Sequence, residues 1–277
     1  MALVLRLGAS HRHSLEAGRT PGEQQLTPEL DGSAAPLVLL HGFTHTGASW
    51  NRVVAELGER YPAVVPDIRG HGSATRVEPV DLDGVLADIA GVKADRFGLV
   101  GYSMGGRLAL HVALAMPDRV ERLVLIGASP GIASAAEREQ RRRADEALAG
   151  RVETMSIEEF ALEWARTPVL AGLPADVLAE VHADRLRNSV SGLARALRGL
   201  GTGALPALWD RLGELRMPVT LVAGERDEKF RATAERMSER LAAGDLVVVH
   251  ETGHAVHLEA PVRMGPILGS GGSGTIP

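Results

Sequence analysis

Short apolar runs alternate along the chain with longer segments in which apolar residues recur at helical spacing. Each short run is apolar almost throughout, which is typical of strands buried on both faces of a parallel sheet. The runs lie at 37–40, 63–66, 97–102, 122–126, 219–223 and 246–250, and the helical segments lie near 50–59, 82–89, 106–116 and 230–242. This alternation predicts an α/β fold with a mostly parallel central sheet flanked by helices.

The alternation stops between residues 129 and 215, where no strand-like run occurs and Ala, Leu, Arg and Glu dominate. We interpret this stretch as an inserted helical cap; extra helices on the outside of the core are the alternative. The predicted organisation is a core of residues 1–128 and 216–268, a helical cap of residues 129–215 and a flexible Gly/Ser-rich tail of residues 269–277. Residues 11–35 are rich in Gly, Pro and polar residues, and either a hairpin or a loose arm fits them; the role of residues 14–35 stays open.

Composition and charge narrow the possible partners. The chain has 277 residues, 45% of them hydrophobic and 23% charged, which suits one large globular unit with a small insertion. Its formal net charge of −5 argues against a nucleic-acid partner, and the absence of cysteine excludes disulfides and thiolate metal sites. No apolar span reaches membrane-crossing length, and the N-terminal apolar run is short for a signal peptide. We expect a cytoplasmic protein without a membrane partner, and its oligomeric state stays open.

The strongest chemical signal is the sequence Gly101-Tyr102-Ser103-Met104-Gly105, which stands between a strand-like run and a helical one. A G-x-S-x-G sequence in a strand–turn–helix context is typical of a nucleophile elbow, in which a strained turn exposes the serine above the sheet. The motif alone is weak evidence because it also occurs by chance. With the residues described next, it predicts Ser103 as the catalytic serine.

A base and a carboxylate follow Ser103 in the order that this architecture uses. Asp227 lies just after the run 219–223, and His254 lies just after the run 246–250. The carboxyl ends of parallel strands meet at one edge of the sheet, so the pattern predicts a Ser103-Asp227-His254 triad. Glu225 is the nearest alternative to Asp227 as the acid.

Two backbone N–H groups are expected to form an oxyanion hole beside Ser103. We predict Met104, the residue after the serine, and Phe43, which follows Gly42 directly after the first strand. His41 is expected to make local hydrogen bonds beneath this site rather than to take part in the chemistry. The remaining histidines show no ligand spacing, so no metal site is predicted.

Several segments together resemble the MenH family, the 2-succinyl-6-hydroxy-2,4-cyclohexadiene-1-carboxylate synthases of menaquinone biosynthesis. The resemblance runs from about residue 36 to 261 and rests mainly on the segments 41–44, 101–107, 224–230 and 253–257. It is supported by segments 129–132, 136–138, 164–168 and 201–209 of the predicted cap. The resemblance implies an α/β-hydrolase fold and a carbon–oxygen lyase whose triad acts as a general base, without a cofactor.

The resemblance also implies a small-molecule substrate with several carboxylates, held by arginines. The positions that match the family's pocket are Tyr102, Arg107, Arg141, Trp164 and Arg187. Guanidinium groups suit this role because they stay charged and bind carboxylates with two hydrogen bonds. The alternative is that much of the arginine-rich run in the predicted cap is a solvated helix face. The alternative function is a serine carboxylesterase that forms an acyl-enzyme on the same triad.

Overall fold

The computed structural model describes residues 35–167 and 173–270. Within them, six parallel strands form one sheet in the order β2-β1-β3-β4-β5-β6. The strands are β1 (Leu37–Leu40), β2 (Ala63–Val64), β3 (Phe97–Tyr102), β4 (Val120–Ile126), β5 (Val219–Gly224) and β6 (Gly244–Val249). This sheet confirms the predicted α/β fold with a mostly parallel central sheet.

Helices cover both faces of this sheet. The core helices are α1 (Asn51–Leu57), α2 (Leu82–Ala90), α3 (Met104–Ala115), α8 (Glu228–Ser238), α9 (Val256–Glu259) and α10 (Pro261–Ser270). Between β4 and β5 lie α4 (Ala135–Val152), α5 (Ile157–Trp164), α6 (Ala175–Arg185) and α7 (Val190–Leu200), which we call the inserted helices. They occupy the stretch predicted as a cap, and the domain boundaries at residues 129 and 215 stay a prediction.

β1 is apolar throughout because its alternate side chains pack against helices on opposite faces of the sheet. Val38 and Leu40 pack into the cluster that contains Leu108 of α3, whereas Leu37 and Leu39 pack into the cluster that contains Val53 of α1. Successive side chains of a strand point to opposite faces, so a strand covered by helices on both sides needs apolar residues at every position.

The observed bounds differ from the predicted ones by a few residues. β2 ends at Val64 rather than at residue 66, where a proline has no N–H to donate to a neighbouring strand. α3 begins at Met104, directly after the serine, rather than at residue 106.

The predictions for the two ends of the chain can be compared with the structure only in part. Gly269 and Ser270, predicted as the start of the flexible tail, instead belong to α10, and the Gly269 carbonyl accepts a 3.1 Å hydrogen bond from the Tyr61 hydroxyl. The rest of the predicted tail, and all but the last residue of the segment 11–35, lie outside the described residues. None of the helices in the described ranges is both long and apolar enough to cross a membrane.

Candidate active site

His254 lies within hydrogen-bonding distance of both Ser103 and Asp227 at the carboxyl edge of the sheet. His254 Nδ1 is 2.6 Å from Asp227 Oδ2, and His254 Nε2 is 3.1 Å from Ser103 Oγ. A carboxylate only accepts hydrogen bonds, so Nδ1 carries the proton and Nε2 is left to accept the hydroxyl hydrogen of Ser103. The imidazole is therefore held in the tautomer that can act as a base toward the serine.

Both oxygens of the Asp227 carboxylate have partners, which fixes its orientation. Oδ2 accepts from His254, and Oδ1 accepts a 3.3 Å bond from the backbone N–H of Phe230 in the first turn of α8. Glu225, the alternative acid, lies elsewhere: its Oε2 is 2.7 Å from His250 Nδ1 and accepts from the Glu251 N–H. The geometry thus separates the two acids and brings only Asp227 to His254.

The turn at Ser103 is strained. Its φ is +52° and its ψ is −108°, outside the regions that residues with a side chain ordinarily occupy. Close packing holds this conformation, because a Cβ added to Gly105 would come within 2.3 Å of the Leu40 carbonyl oxygen. The serine hydroxyl is therefore presented at the start of α3 by a turn that only glycine permits at residue 105.

Gly127 is a site residue that the sequence reasoning missed. It follows β4 with a φ of +53°, and an added Cβ would lie 2.8 Å from Cε1 and 2.9 Å from Nδ1 of His254. Two aromatic rings also pack against His254: the ring centroids of Phe230 and Tyr102 lie 4.4 and 5.2 Å from that of His254. The His254 ring is thus closely packed, and a larger residue at position 127 would collide with it.

The loop after β1 passes directly beside Ser103. A Cβ added to Gly42 would lie 3.6 Å from Ser103 Cβ. The Gly42 carbonyl accepts from His41 Nδ1 at 2.9 Å and from the His45 N–H at 3.2 Å, while His41 Nε2 accepts from the Ile68 N–H. In a trans peptide the C=O and N–H point in opposite directions, so these bonds also set the direction of the Phe43 N–H. His41 makes the local hydrogen bonds that the sequence analysis expects.

Arg107 lies buried where α3 meets the inserted helices. Its Nη2 donates to the Leu200 carbonyl at 2.9 Å, and its Nε has no hydrogen-bond partner within the described part of the chain. Burial, and then the neighbouring charge of Arg141, lower the pKa of Arg107 to about 10. Arg141 is about half exposed and pairs with Asp145 at 2.7 Å. Two cations thus lie close together with only one paired carboxylate between them, which favours an anion.

The structure does not bring Arg187 to the triad. Its side chain is 64% exposed, and its Nε lies 3.9 Å from Asp184. Arg185, two residues earlier, is instead fully buried: its Nε contacts Thr44 Oγ1 at 3.4 Å, and its Nη2 has no partner among the described residues. Burial lowers the pKa of Arg185 to about 10, partly offset by Tyr102 and Asp184. Arg185, the last residue of α6, is therefore the arginine that contacts the loop after β1, whereas Arg187 in the following turn is exposed.

Trp164 and Tyr102, the two aromatic residues predicted in the pocket, both lie next to site residues. The Trp164 ring packs edge-on against Phe43 with centroids 5.3 Å apart, so the end of α5 covers the loop after β1. Tyr102 precedes Ser103 and is buried, which raises the pKa of its phenol. Across the described ranges, no group of three or more histidine and acidic side chains is placed to hold a metal ion.

Comparison with known proteins confirms the predicted α/β-hydrolase fold, because the alpha/beta hydrolase family matches residues 37–264. A Bacillus subtilis (strain 168) protein provisionally named 2-succinyl-6-hydroxy-2,4-cyclohexadiene-1-carboxylate synthase is 36% identical over 87% of this chain and 91% of its own length. A Klebsiella pneumoniae protein with the name of that synthase is 32% identical over 82% of this chain and 90% of its own.

Two solved structures have a closely similar fold. MenH from S. aureus superposes with a TM-score of 0.80 and 31% identity, over 85% of this chain and 92% of that one. A malate-bound esterase from Thermogutta terrifontis superposes with a TM-score of 0.73 and 26% identity, over 84% and 88% of the two chains. The fold is therefore shared by a synthase and an esterase, and the residues around the serine must separate the two chemistries.

Proposed function

This chain belongs to the alpha/beta hydrolase family and, within it, to the 2-succinyl-6-hydroxy-2,4-cyclohexadiene-1-carboxylate synthases, and we propose that it carries out the elimination that forms this product. The enzyme is thus a carbon–oxygen lyase of menaquinone biosynthesis. Its proposed substrate is 2-succinyl-5-enolpyruvyl-6-hydroxy-3-cyclohexene-1-carboxylate. The cytoplasmic location expected from the sequence stays a prediction.

The reaction needs a base and no acyl-enzyme. Ser103 Oγ passes its proton to His254 Nε2 and removes the proton from the ring carbon that carries the succinyl group. The electron pair of that C–H bond forms a new ring double bond, the existing double bond shifts by one position, and the C–O bond to the enolpyruvyl group breaks. The leaving group departs as the enolate of pyruvate, which is then protonated. Asp227 stabilises the imidazolium that His254 becomes.

Negative charge builds up on the succinyl ketone oxygen when the ring proton leaves. We assign the backbone N–H groups of Met104 and Phe43 to this oxygen. Met104 opens α3 directly after the serine, and the hydrogen bonds to Gly42 set the direction of the Phe43 amide beside Ser103. Hydrogen-bond donors fixed before the reaction stabilise such charge more than mobile water does.

The observation that carries this assignment is the presence of two buried guanidinium groups, Arg107 and Arg185, each with a nitrogen that has no partner among residues 35–167 and 173–270. A buried, unpaired cation is costly unless a ligand neutralises it. The proposed substrate supplies several carboxylates, whereas an ester with an apolar acyl group would leave both cations unpaired. Arg141, Tyr102 and Trp164 complete the proposed pocket, and the structure gives less support to Arg187.

The test measures pyruvate release from the cyclohexene substrate beside hydrolysis of short p-nitrophenyl esters. Wild type, Ser103→Ala and Arg107→Ala are compared, and circular dichroism checks that each is folded. We expect fast elimination in wild type, lost in Ser103→Ala and strongly reduced in Arg107→Ala. Ester turnover that needs Ser103, does not depend on Arg107 and releases no pyruvate would instead establish the carboxylesterase, for which the match to the Thermogutta terrifontis esterase is the supporting observation.

A further inference from the structure

The residue after Phe43 has an unusual backbone conformation. Thr44 is fully buried and has a φ of +69°, a region that β-branched residues occupy only when the surroundings impose it. The contacts that impose it come from the inserted helices. Three successive residues, Thr44, His45 and Thr46, all bond to the segment 184–188 at the end of α6.

Asn188 makes the bond that matters most for Phe43. Its Nδ2 donates to the Thr44 carbonyl at 2.8 Å, and its Oδ1 accepts from the Gly72 N–H at 3.0 Å, so the buried amide is held at both ends. The peptide that carries the Thr44 carbonyl also carries the His45 N–H, which donates to the Gly42 carbonyl at 3.2 Å. That carbonyl in turn shares its peptide with the Phe43 N–H.

These groups form a continuous chain of hydrogen bonds. It runs from the Asn188 side chain through the peptide between residues 44 and 45 to the peptide between residues 42 and 43, and it ends at the Phe43 N–H. Both peptides are trans and planar, so the direction of each C=O fixes the direction of the N–H in the same peptide. Hydrogen bonds in such a chain also polarise one another. Asn188 therefore acts on the direction and the donor strength of an amide that it does not touch.

Asp184 fixes the far side of the same loop. Its Oδ2 accepts from the Thr46 N–H at 2.9 Å and lies 3.3 Å from His45 Nδ1, and its Oδ1 accepts from the Thr46 hydroxyl. Burial raises the pKa of this carboxyl, but the bonds from His45 and Thr46 outweigh burial and hold the pKa below its usual value. The carboxylate stays charged and keeps the loop docked against α6.

We propose that Asn188 is a positioning residue for catalysis, which holds Thr44 in its left-handed conformation and aims the Phe43 N–H at the developing oxyanion. The inference rests on the proposed function, since it assumes that this amide meets the enolate oxygen. The proposed role of Asn188 also means that the oxyanion hole is held in place partly by the segment between α6 and α7, although both of its N–H donors, Met104 and Phe43, belong to the core.

The Phe43 amide can be observed without any substrate. The chain has four phenylalanines, so protein labelled with 15N-Phe gives four amide cross-peaks, and the one absent from Phe43→Leu is assigned to Phe43. We expect Asn188→Ala and Asn188→Asp to move the Phe43 cross-peak and to leave those of Phe97 and Phe230 in place. Asn188→Asp is the sharper variant because it keeps an acceptor for Gly72 and loses the Nδ2 donor, which bonds to the Thr44 and Arg185 carbonyls.

The control is Ser189→Ala, at the adjacent position. The Ser189 hydroxyl caps α7 and contacts Thr75 at 2.5 Å, so its loss also weakens the inserted helices, but it does not bond to the loop at 42–46. Ser189→Ala should leave the Phe43 cross-peak unmoved. In the pyruvate assay, the Asn188 variants should lower kcat by about 10- to 100-fold with KM within about twofold, whereas Ser189→Ala should change neither.

Two results would overturn the positioning role. One is a Phe43 cross-peak that stays in place in both Asn188 variants, which contradicts the inference whether or not the protein releases pyruvate. The other is a fall in kcat that follows the melting temperature equally in Ser189→Ala and Asn188→Ala, which would make the effect one of stability. Failure of the proposed function shows differently: wild type would release no pyruvate while the Phe43 cross-peak still responds to Asn188.

Discussion

His254 Nδ1 lies 2.6 Å from Asp227 Oδ2, although 26 residues separate the two along the chain. The contact forms because β5 and β6 are parallel neighbours, so the loops that follow them leave the same edge of the sheet. Glu225 stands only two residues before Asp227 and bonds to His250 and Glu251 instead. Both acids follow β5, but only Asp227 contacts His254, so variants of the two can be compared to test which carboxylate supports the histidine.

Asp227→Asn should lower kcat for pyruvate release by about 10³- to 10⁴-fold, because the amide no longer stabilises the imidazolium and can hold the ring in the wrong tautomer. Glu225→Gln should leave kcat within about twofold, since this side chain is exposed and does not contact the triad. Steady-state kinetics of both variants check this. A large effect of Glu225→Gln would transfer the role of the acid to that residue.

Arg185→Met should raise KM and lower kcat/KM by about 10- to 100-fold, the effect expected on losing a charge-assisted hydrogen bond to a substrate carboxylate. Arg187→Met is the matched control, because it removes the same charge from a side chain that is 64% exposed. Kinetic constants of the two variants decide which arginine binds substrate. A larger effect at Arg187 would support the family-based assignment made from the sequence.

The arrangement of Ser103, Asp227 and His254 could be predicted from sequence because each follows an apolar, strand-like run, those of β3, β5 and β6. Parallel strands place the residues that follow them at one edge of the sheet. Periodicity and order left both Asp227 and Glu225 as candidate acids, and the family resemblance favoured Asp227. The same reasoning placed the loop after β1 next to the serine.

Arg185 and Gly127 could not be found in this way. Arg185 and Arg187 lie in one polar segment, and α6 ends at Arg185, so Arg187 already belongs to the turn that follows the helix. The choice between them therefore depends on where the helix ends and which side of it meets the core. Gly127 has no distinguishing neighbour in the sequence. Its role comes from a contact with His254 across 127 positions of the chain, which only the packed fold shows.

The stability of the protein should fall as the pH is lowered from 7.0 to 5.5, and His71 is one cause. Burial, and then the nearby His41, lower the pKa of His71 to about 3, so the folded chain keeps this imidazole neutral while the unfolded chain protonates it below pH 6.5. The unfolded state therefore binds more protons, and the free energy of unfolding decreases as the pH falls. For one such histidine the loss is about 1 kcal/mol over this range.

Urea unfolding at the two pH values tests the contribution of His71. His71→Asn should be less stable than wild type at pH 7.0, because a buried side chain is altered, but it should lose about 1 kcal/mol less on going to pH 5.5. The change between the two pH values is the readout, so the general destabilisation cancels. An unchanged pH dependence would contradict this, because it would show that His71 binds its proton to the same extent in the folded and unfolded states.

Gly127→Ala should lower kcat by more than about tenfold, because the new Cβ would lie 2.8 Å from His254 Cε1 and push the ring away from Ser103. Residue 127 also has a φ of +53°, where a residue with a side chain is strained, so the substitution should lower the free energy of unfolding by about 1–2 kcal/mol. Gly58→Ala separates these two effects. Gly58 has a similar φ of +58°, but an added Cβ would have nothing within 4 Å. Gly58→Ala should therefore lower the melting temperature through backbone strain alone and keep full kcat; equal kcat in the two variants would mean that the His254 ring accommodates the methyl group.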